Sequence, residues 1–192
     1  MFRFRIITSS FALFAITIMT DAEIFRKNIL EFNNQLNPDV IQTENLYKLD
    51  GANPDVLELV GMGGSGTPGN ILQNLSGYAN VQIPLITSKE ASLPTPGAGL
   101  PASFKRPLYI FISFSGGTRE TLNAFAQLPK GSLAAVVTSG GKLLESARKS
   151  ELPIATFKQT ELQPRQGYGL TLYGVLTLLK AFNPKIPLLD LS

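Results

Sequence analysis

Three apolar runs, VLELVG at 56–61, LYIFIS at 108–113 and LAAVVT at 133–138, each break into a turn of glycine and serine and then into a helical stretch. That repeated order constrains the fold more than any other feature of the chain. A short apolar run bounded by turn residues reads as a strand buried on both faces, and strands alternating with helices predict a parallel sheet covered by helices. VQIPLIT at 81–87 supplies a further strand, which Pro84 pushes towards a sheet edge, and LPIATF at 152–157 supplies the last. The expected class is α/β, a three-layer αβα arrangement around a parallel five-stranded flavodoxin-like sheet of order 2-1-3-4-5.

The turn after the first run, GMGGSG at 61–66, holds four glycines and a serine. Without Cβ atoms the backbone there can take positive φ and aim several N–H groups at one point, which suits an anion. Pro68 stands where a first helical turn tolerates proline, and NILQNL continues at helical spacing, so the turn ends on a helix N-terminus that favours phosphate. Gly61, Gly63 and Gly66 also match the G-x-G-x-x-G dinucleotide fingerprint. A third reading makes the glycines serve strand-to-helix geometry alone.

The second run opens into SFSGGTRETL at 113–122, where Ser113, Ser115 and Thr118 stand among glycines and Thr118 is placed to cap the next helix. In the expected strand order the first and third strands are neighbours across the switch point. The turns at 61–66 and 113–118 therefore flank one crevice. Convergence of two such loops disfavours the turn-only reading. Hydroxyl donors on two sides suit the three oxygens of a terminal phosphate better than a pyrophosphate on one glycine loop, and Glu90 is a late candidate for a ribose-binding acid. The SGG turn at 139–141 reads as a third binding loop or, preferred, as a tight connection in a supporting role.

Composition narrows the chemistry. The 192 residues include no cysteine and no histidine, which removes disulfides, thiol nucleophiles, the usual zinc ligands and imidazole acid–base catalysis. The net charge is +3 with scattered basic residues, so no nucleic-acid surface is expected, and anionic small ligands remain compatible.

Residues 1–18 differ from the rest, with Arg3 and Arg5 ahead of an apolar run from Ile6 to Ile18. The segment reads as an export signal with Thr20 and Ala22 as a poor cleavage pair, or as an extension upstream of a start at Met19. It is short for a transmembrane span. The extension is preferred, and a cytoplasmic location is expected with it. Residues 21–36 read as a covering helix ended by Pro38, followed by a polar connector through Asp50 and Pro54. SKEASLPTPGAGLPASFKRP at 88–107 reads as a long irregular connection, and residues 170 to about 182 as a long apolar helix.

GMGGSG at 61–66, SFSGGTRET at 113–121, TSGGKL at 138–143 and QPR at 163–165, in this order, resemble the sugar isomerase (SIS) domain, and more closely the amino-terminal half of the bifunctional phosphoglucose/phosphomannose isomerases. The resemblance covers roughly residues 19–192, taken as a single SIS domain. It implies an aldose–ketose isomerase interconverting glucose 6-phosphate or mannose 6-phosphate with fructose 6-phosphate through an enediol, with no cofactor and no metal. It places phosphate binding at Gly63, Gly64, Ser65, Ser113, Ser115 and Thr118, and makes Arg165 the catalytic cation that steadies the enediolate. The second loop departs from the family pattern at Gly117, usually Asn, and at Arg119, usually Glu. In the family the glutamate base and a ring-opening histidine lie in a second SIS domain, near whose beginning this chain stops. The resemblance thus implies a hexose phosphate as ligand and a second SIS domain or homodimer partner for turnover. A sensor module that binds sugar phosphates without catalysis, and a dinucleotide-dependent oxidoreductase, stand as the alternatives.

Overall fold

The computed structural model describes residues 21–75, 82–158, 162–164 and 166–186. The segment 1–18, Val81 at the start of the expected second strand, and Arg165 lie outside the described residues.

The central element is β2 (Val56–Gly61), buried along its whole length. It pairs in parallel with β3 (Leu85–Ser88) on one side and with β4 (Pro107–Ser113) on the other. Next come β5 (Leu133–Thr138), parallel to β4, and β6 (Ile154–Phe157), parallel to β5. These five strands stand in the flavodoxin-like order read from the sequence, with β3 at one edge as its preceding proline implies.

A sixth strand extends the sheet. β1 (Ile41–Glu44) pairs antiparallel with β6 at the other edge, in the stretch expected to be a polar connector. IQTE carries one large apolar residue and buries neither face fully, so no apolar run or alternation announces it. Backbone pairing with β6 makes it a strand, and the Arg148 guanidinium, which donates to both Glu44 carboxylate oxygens, ties its end to the helix layer.

Alternation along the inner strands divides two cores. Leu57, Leu59, Leu108, Ile110, Ile112, Ala135 and Val137 face α2 (Thr67–Leu75) and α5 (Tyr168–Phe182), whereas Val60, Tyr109, Phe111, Ala134 and Val136 face α3 (Arg119–Ala126) and α4 (Gly141–Lys149). Each face is sealed by helices, and the three-layer αβα arrangement follows. α5 comes close enough to the sheet that a Cβ on Gly174 would stand 2.7 Å from Val137 Cγ1.

The amino-terminal helix departs from expectation. α1 (Asp21–Leu30) gives way to a 3₁₀ turn over Phe32–Gln35, and it leaves Phe25, Ile29 and Leu30 at 51%, 57% and 72% exposure instead of covering the core. A groove of about 360 Å³ between α1 and the start of α5 is lined by Phe25, Ile29, Phe32 and Tyr168. Among the described residues no helix is long and apolar enough to cross a membrane.

Candidate functional site

In a parallel sheet with right-handed crossovers the strand-to-helix turns gather at the carboxyl edge. β2 leads into a 3₁₀ turn at Gly63–Gly66 and then α2, with Pro68 in the first turn of that helix. The amides of Gly63 and Gly64 begin the turn and have no acceptor within it. Only Gly63 of the four glycines takes positive φ, at +52°. Gly61 and Gly66 are needed for close approach: a Cβ on Gly61 would lie 2.6 Å from the Ser65 carbonyl, and one on Gly66 would lie 2.7 Å from the Gly61 carbonyl.

The second turn, between β4 and α3, is held by its own hydroxyls. Ser113 is fully buried; its Oγ accepts the Gly116 N–H at 3.1 Å and stands 3.0 Å from Thr118 Oγ1. Gly116 turns the chain with φ +68°. Thr118 occupies the N-cap position as expected, but it makes no side-chain capping bond to the helix, because its hydroxyl is engaged with Ser113. Ser115 is exposed, and its Oγ accepts the Gly117 N–H at 3.3 Å.

The two turns touch. The Phe114 amide donates to Ser65 Oγ at 3.2 Å, joining residues that are 49 positions apart in the chain. The third turn buttresses the second, in the supporting role read from the sequence. Ser139 Oγ donates to the Phe114 carbonyl at 2.6 Å, the Leu143 amide donates to the Gly116 carbonyl at 3.0 Å, and a Cβ on Gly141 would lie 2.6 Å from the Ser115 carbonyl. Phe114 is thus gripped at both its N–H and its C=O, a position that sequence inspection passed over because phenylalanine carries no polar signal.

The segment that contains QPR also reaches this edge. A Cβ on Gly167, two residues after Arg165, would collide with the Phe114 ring. Gln35, missed in the sequence, fixes the entry to α5: its Nε2 donates to the Gln166 carbonyl at 2.9 Å, and its Oε1 accepts the Gly169 amide at 3.1 Å. A glutamine on a stretch expected to be plain helix gives no sign of this until residues 134 positions away are brought beside it.

Charged side chains of both signs stand at this edge, with Glu90 next to Lys89 and Glu120 next to Arg119. Lys89 follows β3 and lays its stem against Gly66, while Arg119 and Lys142 sit in the first turns of α3 and α4. The ion pairs among the described residues, Lys48–Glu151 and Arg148–Glu44, involve none of the three. Two loops rich in amide and hydroxyl donors, with cations at their rim, can hold an anion and contribute no general base. Among the described residues no cluster of potential metal ligands occurs.

No protein-family model matches the chain. The bifunctional phosphoglucose/phosphomannose isomerase of Caldicellulosiruptor bescii is 33% identical over 129 residues, covering 67% of this chain and 35% of that protein. The enzyme of the same name from Aquifex aeolicus is 33% identical over 120 residues, covering 62% of this chain and 35% of its own length. The chain therefore spans about a third of the length of these curated relatives. Among solved structures, Vibrio vulnificus NanR complexed with ManNAc-6P superposes with a TM-score of 0.52 at 15% identity, covering 86% of this chain and 64% of that one. Tagatose-6-phosphate ketose/aldose isomerase from Escherichia coli gives 0.51 at 16% identity, covering 84% and 43%. At such identities the superpositions speak for the fold. The chain shares the fold of these phosphosugar proteins, consistent with the SIS domain that its sequence resembles, and by sequence it is related to the bifunctional phosphoglucose/phosphomannose isomerases.

Proposed function

We propose that the chain, as one domain over residues 19–192, binds the phosphate of a hexose phosphate between its first two loops and forms half of an aldose–ketose isomerase site. The observation that carries this reading is the Phe114 amide bonded to Ser65 Oγ, which holds the two donor-rich turns side by side. Gly63, Gly64, Ser115 and Thr118 are the accessible donors. Ser65, at 7% exposure, accepts from Phe114 and keeps its own proton to give, and buried Ser113 shapes the turn and positions Thr118. Each hydrogen bond to a charged phosphate oxygen contributes roughly 1.5–3 kcal/mol, so a handful suffices to anchor a sugar phosphate after desolvation.

Arg165 is the residue proposed to steady the developing enediolate, since a fixed cation beside growing negative charge lowers the barrier. Its neighbours support the role, because Gly167 packs on the Phe114 ring beside the second loop. Glucose 6-phosphate, mannose 6-phosphate and fructose 6-phosphate are the proposed substrates, the first two in keeping with the phosphoglucose and phosphomannose of the relatives' names. A chain without histidine takes its ring-opening group from elsewhere. A second SIS domain or a homodimer partner is proposed to complete the site, packing on the exposed apolar face of α1 beside the start of α5. These are intracellular metabolites, and a cytoplasmic location is proposed with them.

A thermal-shift panel tests the binding function: hexose 6-phosphates raise the melting temperature, and NAD(H) and the unphosphorylated sugars do not. A coupled isomerase assay on the chain alone is expected to show no turnover. Stabilisation by NAD(H) with indifference to sugar phosphates would contradict the proposal.

A further inference from the structure

A second concave, basic site lies at the opposite end of the sheet. Where β2, β4 and β5 begin, Asn53, Lys105, Arg106, Lys130, Gly131 and Ser132 line a pocket of about 430 Å³. That volume is within the range, roughly 300–1,000 Å³, that small-molecule sites occupy. Three cations and no carboxylate line it.

The cations come from two separate connections, and the fold holds both in place. Asp55 precedes β2, and its carboxylate accepts the amides of Lys105 and Arg106 at 2.6 and 3.0 Å, while the Asp55 amide donates to the Arg106 carbonyl at 3.1 Å. This clasp fixes the backbone from which both side chains project. Lys105 Nζ donates to the Ala102 carbonyl at 2.7 Å. On the other side Gly131, with φ +83°, and the bond from the Ser132 amide to the Pro129 carbonyl close a turn that presents Lys130. Arg106 and Lys130 have no ion pair among the described residues.

Local negative charge does not account for them. α3 ends at Ala126, and the carboxyl end of a helix is worth about half a negative charge. Asp55 contributes one more, already committed to two amides. Three cations against these leave a surplus of roughly one and a half positive charges facing a hollow. Surface lysines and arginines ordinarily spread out to avoid each other, and gathering them in a concavity costs free energy that a bound anion returns.

We infer that the pocket between the start of β4 and the turn before β5 binds a small anion bearing two or more phosphoryl or carboxylate groups, at the end of the sheet away from the glycine-rich loops. One phosphoryl group meets Arg106, whose planar fork suits two oxygens at once, and the second meets Lys130 and the Ser132 hydroxyl. A diphosphate is the simplest molecule that carries two such groups, and a tricarboxylate is the alternative source of the same chemistry.

Calorimetric titration of the full chain with pyrophosphate, citrate and inorganic phosphate at low ionic strength tests this. Saturable binding of pyrophosphate, citrate or both, at least tenfold tighter than that of inorganic phosphate, is expected. It should weaken tenfold or more in Arg106→Gln and in Lys130→Gln, recover in Lys130→Arg, and persist in Ser115→Ala. These side chains are exposed, and circular dichroism verifies that the variants remain folded. Polyanion binding that survives Arg106→Gln and Lys130→Gln, that disappears in Ser115→Ala, or that is absent or non-saturable in the wild-type chain overturns the inference. Loss in Ser115→Ala would place the polyanion at the carboxyl-edge loops instead, and the other outcomes leave the reading of those loops untouched.

Discussion

Ser65 Oγ lies 3.2 Å from the Phe114 nitrogen and accepts its proton, so the first glycine-rich turn is hydrogen-bonded to the second. Phe114 is 5% exposed, and removing the hydroxyl leaves its amide buried without an acceptor. Ser65→Ala should therefore cost about 1–3 kcal/mol of stability and weaken hexose-phosphate binding as well. Urea unfolding and calorimetry on the same variant measure the two effects.

Ser115 offers the contrast. It is exposed and bonded only to the Gly117 amide, so Ser115→Ala should change stability by less than about 0.5 kcal/mol. Its affinity for a phosphorylated sugar should nonetheless fall about tenfold, the loss of one charge-assisted hydrogen bond. Thr118→Ala should lose a similar amount of affinity and also remove one of the two partners of the buried Ser113 hydroxyl, leaving it the Gly116 amide. Equal titration curves for Ser115→Ala, Thr118→Ala and the unaltered chain would remove the second turn from the site.

Glu58 sets a pH dependence of stability. It is fully buried on the central strand with the Ser88 hydroxyl on one carboxylate oxygen and no partner on the other. Burial pushes its pKa above the ordinary glutamate value, and the Ser88 bond offsets part of the rise. The folded chain therefore holds this proton to higher pH than the unfolded chain does. Its contribution is fully present below the unfolded value and is lost as pH rises through the window up to the folded value. Glu44, held low by the Arg148 hydrogen bond, works in the opposite sense: its contribution is lost as pH falls. Glu58→Gln should thus gain stability relative to the unaltered chain as pH rises above the ordinary glutamate value towards the raised folded one. Urea midpoints at several pH values check this, and a constant difference across the range would contradict it.

Gly116 and Gly131 both have positive φ, +68° and +83°, yet their surroundings differ. A Cβ on Gly116 would strike the Gly140 carbonyl of the neighbouring turn, whereas one on Gly131 meets open space. Gly131→Ala should cost only backbone strain, about 1 kcal/mol. Gly116→Ala adds a backbone collision and should cost about 3 kcal/mol or more. Denaturant melts of the two variants rank them directly.

The exposed face of α1 predicts association. Leu30, at 72% exposure, lies with Phe25 and Ile29 on a helix that leaves them uncovered. Sedimentation should show concentration-dependent self-association, or association with a second SIS domain, that Leu30→Glu abolishes without unfolding the chain. A monomer indifferent to both would leave the proposed half-site without a partner.

The legible part of this fold was the part written in long apolar runs. β2, β4 and β5 are buried on both faces, so their sequences carry the strand signal unaided, and their alternation with helices implies a parallel sheet. β1 was illegible because an edge strand held by backbone pairing needs no apolar pattern. The apolar spacing of residues 21–36 predicts a covering helix, yet spacing gives the existence of an apolar face and says nothing about what covers it. At the site, glycines and hydroxyls announced the two turns. The grip on Phe114, the clamp of Gln35 on the start of α5 and the stem of Lys89 across Gly66 depend on contacts between distant segments, which local pattern does not encode.

The central claim is that the turns at 61–66 and 113–118 hold one phosphate between them. Isothermal titration of fructose 6-phosphate into the unaltered chain, Ser65→Ala and Ser115→Ala tests it most directly. One saturable site per chain, weakened in both variants though their substitutions lie in different loops, is the predicted result. Binding that is lost in one variant and untouched in the other, or no saturable heat from the unaltered chain, would contradict it.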